Sequence, residues 1–434
     1  MKDLMPTGQV ETYEAKVTPS VALPYRLENP PSVERDSGGA QRMSKWNEKP
    51  LGTLCSIKTG KKDVNEGSSE GKYPFFTCSR DVHASDSYSF DTDAILIAGN
   101  GAVGDTKLYR GKFEAYQRTY VLDGFEEDLD FIFYVLKASL SEALKKVVSG
   151  STMPYIRKGD LERYPIPLPP LPEQKKIAHI LSTVQRAIEA QVRIIQTTSE
   201  LKKALMHKLF TEGLRNEPQK ETEIGLVPES WEILPISELF ETQLGKMLSQ
   251  KAKIGNSPNV YLRNKNVQWG RIDTEDLLRM DFNDREAEKF QLRKGDLLVC
   301  EGGEVGRAAL WDGSIADCYY QKALHRLRPK TDRITNEFMV HWMMYAFLLT
   351  NTYGVTGTRT TIAHLPEIKL KPLLVPVPSP DEQAEIIAVI DAVYQKNAGH
   401  QRKLGELQNL FRTLLHELMT AKTCINALTF SAMK

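Results

Sequence analysis

Apolar residues recur at steps of three and four along two stretches of the chain. One carries Ile177, Ile180, Leu181, Val184, Ile195, Leu201, Leu205 and Leu209; the other carries Ile386, Val389, Ile390, Val393, Leu404, Leu410, Leu414 and Leu418. This spacing is that of a single helix face. The two sets coincide under one constant shift, which carries Glu173-Gln174 onto Glu382-Gln383 and LMHKLFT (205–211) onto LLHELMT (414–420) without a gap. Each stretch opens with a proline followed by an acidic residue, Pro172-Glu173 and Pro380-Asp381. There proline forfeits no hydrogen bond, and negative charge meets the positive end of the helix dipole. Each then runs for about forty residues without proline, so the pattern predicts long helices over 172–212 and 380–422, rods of ~60 Å at ~1.5 Å per residue. A single apolar stripe of that length needs a partner. The other copy supplies one, which predicts an intramolecular coiled coil; if each helix packed only on its own globular part, equal lengths would not be required.

The segments before each helix carry shorter signals. AILIA, RTYVL, DLLVC and HRLRP are β-rich runs bounded by glycine or aspartate, and EDLDFIFYVLKASLSEALKKVV and TNEFMVHWMMYAFLLTNTY have helical patterns. Each globular part is therefore α+β. It closes with a proline-spaced extended strand (Pro165, Pro167, Pro169; Pro376, Pro378) that leads into the rod. These parts repeat too: WNEKPLGTLCSIKTGKK from Trp46 parallels WEILPISELFETQLGKM from Trp231, and Gly101, Val103 and Gly104 fall on Gly303, Val305 and Gly306. The middles diverge. The plan is a globular domain at 44–171, a helix at 172–212, a polar linker at 213–228, a second globular domain at 229–379, a second helix at 380–422 and a tail at 423–434. Residues 1–43 lack periodicity and are rich in Pro, Ser, Gly and charge, which reads as a disordered arm.

Composition narrows the function. No stretch approaches the roughly 18 continuous apolar residues of a membrane helix, the start has no signal-peptide pattern, and five scattered cysteines form no C-x-x-C pair. A reducing cytoplasm is the expected setting. The formal net charge is only +1, so any basic surface is local or shared with a partner. Gly99-Asn100-Gly101-Ala102-Val103-Gly104 spells a dinucleotide fingerprint. It is followed by strand-like sequence where that motif demands a helix, and its second copy has Glu301 at the first glycine, so it reads as a tight turn. Asn29-Pro30-Pro31-Ser32 lacks the aromatic residue of an adenine-methyltransferase motif. No phosphate loop, nucleophile elbow or metal-spaced histidine set occurs, and we expect no catalysis, cofactor or metal in this chain.

Binding residues are better represented. Arg, Lys, Asn and Gln grip phosphates and read purine edges. They cluster at Lys58, Lys61 and Lys62, at Arg263, Asn264, Lys265 and Asn266, and in paired loops at Arg80, Gln117, Arg118, Arg157 and Lys158 in the first copy and Lys246, Arg307, Gln321, Thr358, Arg359 and Thr360 in the second. Singly, each could be an ordinary solvated surface residue; as matched sets they form a candidate DNA surface.

PLPPLPEQKKIAHIL with its echo SPDEQAEIIAVI, the linker KETEIGLVPESWE, YLRNKNVQWGRID and KGDLLVCEGGEVGRAALW, in this order and duplicated, resemble the specificity subunit of type I restriction-modification systems from about Trp46 to about Lys422. The resemblance implies two target-recognition domains held apart by an antiparallel coiled coil of two long helices, an internal pseudo-two-fold repeat. Each domain would read one half of a split, asymmetric site in double-stranded DNA. It implies two modification subunits docked on the helices and carrying S-adenosylmethionine, with ATP, Mg and cleavage belonging to restriction subunits. A rival reading is a stand-alone DNA-binding or anti-restriction protein of the same fold. The arm before Met43 is longer than the family pattern requires.

Overall fold

A computed structural model describes residues 46–145, 154–249, 258–354 and 364–420. The arm read at 1–43 and the tail read at 423–434 lie outside the described residues, as do Thr358, Arg359 and Thr360. The chain divides into two compact units, residues 1–193 together with 401–434, and residues 194–400.

In the first unit the strand Asn47–Pro50 pairs antiparallel with the proline-spaced strand Pro165–Leu168. A two-stranded ribbon tolerates those prolines because one edge of each strand needs no donor. A six-stranded sheet runs in the order Ser56–Thr59, Thr119–Asp123, Phe90–Ala98, Thr106–Ala115, Tyr73–Phe76, His83–Ser85, all neighbours antiparallel except Phe75-Phe76 beside Glu114-Ala115. The run AILIA is buried throughout because both faces are covered. Ile95 and Ile97 join the core beneath the helix Leu129–Leu144, whereas Ala94 and Leu96 join Phe76, Tyr109 and Phe113 on the other side. That helix starts at Asp128, whose carboxylate accepts the Phe131 N–H at 2.9 Å. Onto the same core pack Ile177, Leu181 and Ile188 from the beginning of the first long helix (Leu171–Glu212) and Phe411, Leu415 and Leu418 from the end of the second (Pro380–Met419).

The second unit repeats this plan with one break. Glu232–Pro235 pairs with Leu374–Val377 as the first ribbon does. A four-stranded sheet follows the order Phe240–Leu244, Leu324–Pro329, Leu297–Cys300, Ala308–Leu310, and a three-stranded sheet the order Leu278–Asp281, Pro258–Leu262, Tyr319–Tyr320. Where the first unit has one ten-residue strand, Thr106–Ala115, the second has two short ones separated by WDGSIADC, and the sheet divides there. The helix Asn336–Met343, capped by Thr335, continues as a π-helical segment, Met344–Leu349.

The long helices are antiparallel partners, as their stripes require. In the second unit Asn397 Nδ2 donates to Ser199 Oγ at 3.2 Å and the Lys202 ammonium lies over the Tyr394 ring, so the number falls in one helix as it rises in the other. Gly399 and Gly405 lie inside the second helix, which carries them without a break at roughly 1 kcal/mol each relative to alanine. Residues 213–228, linker-like in composition, fold into a hairpin of Gln219–Thr222 and Gly225–Pro228. Glu382 anchors it: this buried carboxylate accepts the Leu214 N–H at 2.8 Å and the Trp231 indole N–H at 3.0 Å.

Candidate nucleic-acid interface

At one end of the first sheet, four loops are tied together through their backbones. A turn closes where the Thr119 N–H donates to Tyr116 O at 2.8 Å; the Gln117 N–H donates to Lys62 O at 3.0 Å and the Gly99 N–H to Arg118 O at 3.0 Å. The Gly99–Gly104 loop joins by the Ala102 N–H to Cys78 O (3.3 Å), and the segment after Pro154 joins by the Ile156 N–H to Gly99 O (2.9 Å). Gly101 and Gly104 have φ of 61° and 79°, and Gly303 and Gly306 have 80° and 78°. The fingerprint-like run is therefore a left-handed turn between two strands, as its context indicated.

This loop cluster presents Lys61, Arg80, Gln117, Arg118 and Arg157, all exposed. The other candidates of this unit turn elsewhere. Lys58 grips both oxygens of Asp123 at 3.1 and 2.9 Å from within its strand, and Lys158 pairs with Glu162 along its helix. Lys62 points inward to Ser85 (3.0 Å), Ser87 (2.7 Å) and the fully buried Glu114 (3.6 Å).

The second unit has the same backbone frame. The Leu324 N–H donates to Gln321 O (3.0 Å), the Lys322 N–H to Lys246 O (2.8 Å), the Glu301 N–H to Ala323 O (2.9 Å) and the Leu365 N–H to Glu301 O (2.7 Å). Most of its sequence candidates serve the frame itself. Lys246 holds Glu286 at 2.6 Å together with Asp281 O, and Arg263 holds Asp276 at 2.9 Å. Asn266 is 2% exposed and donates to Asp273 O and Asp276 O, closing the RNKN turn. Arg307 donates to Asn264 O (2.8 Å) and Glu304 (2.7 Å), and Asn264 Nδ2 reaches Gly302 O at 3.3 Å. Lys265 is exposed but paired; with Arg263 it holds the Asp276 carboxyl below the usual carboxylate range, Lys265 contributing most.

One residue escapes the sequence reading. By letters YQR at 116–118 matches YQK at 320–322, which pairs Gln117 with Gln321; by hydrogen bonds Gln321 stands where Tyr116 does, and the exposed Lys322 matches Gln117. A one-residue offset in the turn hid it. Burial pushes the Cys55 and Cys318 thiols up to about 12 and Cys300 to about 11, and no group of three His, Cys, Asp or Glu residues placed to hold a metal occurs among the described residues. No helix among them is long and apolar enough to cross a membrane.

Each unit carries a loop cluster on the same backbone frame, the arrangement of a protein with two related recognition domains. Comparison with known families agrees: residues 43–197 and 228–409 each match the type I restriction modification DNA specificity domain. The chain belongs to that family. It is 27% identical over 384 residues to the EcoDI specificity subunit of Escherichia coli, covering 80% of this chain and 81% of that one. It is 26% identical over 407 residues to the MjaVIII specificity subunit of Methanocaldococcus jannaschii, covering 89% and 94%. In fold it is similar to the specificity subunit from M. genitalium, with a TM-score of 0.60 at 20% identity over 87% of this chain and 97% of that one.

Proposed function

We propose that this chain is the DNA-sequence-specificity subunit of a type I restriction-modification complex, each globular domain reading one half of a bipartite, asymmetric site. The observation that carries the reading is the repeated loop frame: the backbone bonds at Gln117 and Lys322 are the same, while the side chains they present differ. Two heads of one design with different contact residues suit two different half-sites. The long helices act as the spacer between them and dock two modification subunits. Half-sites contacted from one face of B-DNA lie about one helical turn apart, roughly 34 Å, or a multiple of it, and a stiff spacer selects the gap. The chain itself is non-catalytic in this reading. S-adenosylmethionine, and ATP with Mg, belong to the modification and restriction subunits, and the complex works in the cytoplasm. A net charge of +1 fits a division of phosphate neutralisation among subunits.

The test is to map methylated adenines across the genome with and without the gene, and again after exchanging residues 229–378 for those of another family member. A bipartite motif that depends on the gene, with one half altered by the exchange, is the expected result. Methylation independent of the gene, or an exchange that alters both halves, overturns it.

A further inference from the structure

The turns Tyr116–Thr119 and Gln321–Leu324 are framed by backbone hydrogen bonds at the two loop clusters. Each is closed on itself and held on two sides, by Lys62 O and the Gly99 N–H in one, by Lys246 O and the Glu301 N–H in the other. The cradles are close-fitting. A Cβ on Gly60 would lie 1.9 Å from Ala115 O, and one on Gly245 2.3 Å from Gln321 O, so both positions accept only glycine. Such holding has a use in recognition. A hydrogen-bonding side chain on a loose loop loses backbone as well as rotamer freedom when it meets a base, whereas one on a fixed turn loses only its own.

We propose that these two turns are the base-reading elements of the half-sites, and that the side chains at 117–118 and 322–323 determine which bases are chosen. The inference rests on the reading given under Proposed function and assigns its specificity to four positions. The backbone at these positions is constant between the domains, while the side chains change from Gln117-Arg118 to Lys322-Ala323. Of the other exposed cations, Lys58 is engaged with Asp123, Lys158 with Glu162 and Lys265 with Asp276, while Lys61, Arg80 and Arg157 lie outside the two turns. Gln117 rests on Asp63 at 3.2 Å at an exposed position, where water competes for the bond and the amide is available to a base. In the major groove a glutamine amide matches adenine, an arginine or lysine matches guanine, and an alanine methyl fits the thymine methyl. The first turn therefore suits an adenine and a guanine, and the second a guanine beside a thymine.

The full chain, assembled with its modification subunits, is used to select sequences from a randomised double-stranded DNA library. Lys322→Gln is expected to change guanine to adenine at one position of one half-site, and Lys322→Arg to keep the guanine. Gln117→Ala with Arg118→Ala is expected to cost about ten- to a hundred-fold in discrimination in the other half-site alone. Thermal melting of each variant confirms folding. A selected motif left unchanged by all three variants overturns the assignment, as does a change in both halves from one turn. A wild-type complex that selects no bipartite motif overturns the specificity reading itself, a result distinct from a normal motif insensitive to the turns.

Discussion

The side-chain oxygen of Gln383 accepts the backbone N–H of Thr335 at 2.9 Å, while its amide nitrogen donates to Pro378 O at 3.0 Å and Arg333 O at 2.7 Å. Gln174 does the same in the other unit, accepting the Asp128 N–H at 3.0 Å and donating to Pro169 O at 2.9 Å and Glu127 at 2.8 Å. Each glutamine fastens the cap of its domain's helix to the start of a long helix, and both are buried. Replacing either by leucine leaves backbone groups unpartnered in the interior. We expect each change to lower stability by about 2–4 kcal/mol, read by denaturant unfolding. A loss below ~0.5 kcal/mol at either site would contradict the equivalence.

Lys62 and Lys61 are adjacent and should separate cleanly. Lys62→Met removes the cation beside the buried Glu114 and should cost about 2–3 kcal/mol. Lys61→Ala should leave stability within ~0.5 kcal/mol and reduce the slope of log affinity against log salt by about one, as for one lost phosphate contact. Titration of DNA binding over a range of salt, beside melting curves, checks both.

Acid should weaken the second unit before the first. Burial lowers the pKa of His325 and His341 below 6.5, and the Nδ1 of each ring has no hydrogen-bond partner. A group whose folded pKa is depressed takes up its proton first in the unfolded chain, so its stability is complete above about 6.5 and is lost as pH falls below that value, by up to ~1.4 kcal/mol per pH unit per histidine. His325 sits in an inner strand of its four-stranded sheet, donating from Nε2 to Leu365 O at 2.8 Å. His325→Gln should flatten the profile of melting temperature between pH 7.5 and 5.5. A variant profile parallel to the wild type would assign the loss elsewhere.

Lengthening both rods tests them as a ruler. Four residues inserted near Glu189 and near Ala398 add ~6 Å, close to two base pairs at ~3.4 Å each. The methylated motif should gain about two base pairs of spacer while keeping both half-sites. An unchanged spacer would show that the gap is set elsewhere.

The long helices were legible in sequence because a stripe and its capping residues are local signals, and they form over 171–212 and 380–419. Even so, Leu201 and Leu410, matched positions of that stripe, are 58% and 46% exposed: periodicity names a face, and packing decides how much of it is covered. The order in residues 213–228 was hidden because its anchor, Glu382, lies far away in sequence. The candidate cations stand out by residue type alone, and type cannot distinguish Lys61, which faces solvent, from Lys62 and Lys246, whose carboxylate partners arrive through folding. Lys322 does not stand out in sequence because local likeness and hydrogen-bond register disagree by one residue.

The composition of the first unit has a consequence for synthesis. Its core includes Phe411, Leu415 and Leu418, and the ribosome adds these only after residues 194–400 have been made. At ~5–20 residues per second, that interval is roughly 10–40 s. During it Ile177, Leu181 and Ile188 lack the helix that covers them in the finished protein. The domain made first is thus completed last, and the nascent chain carries an apolar seam that chaperones, or a neighbouring chain's free helix, can reach before its own C-terminal segment emerges.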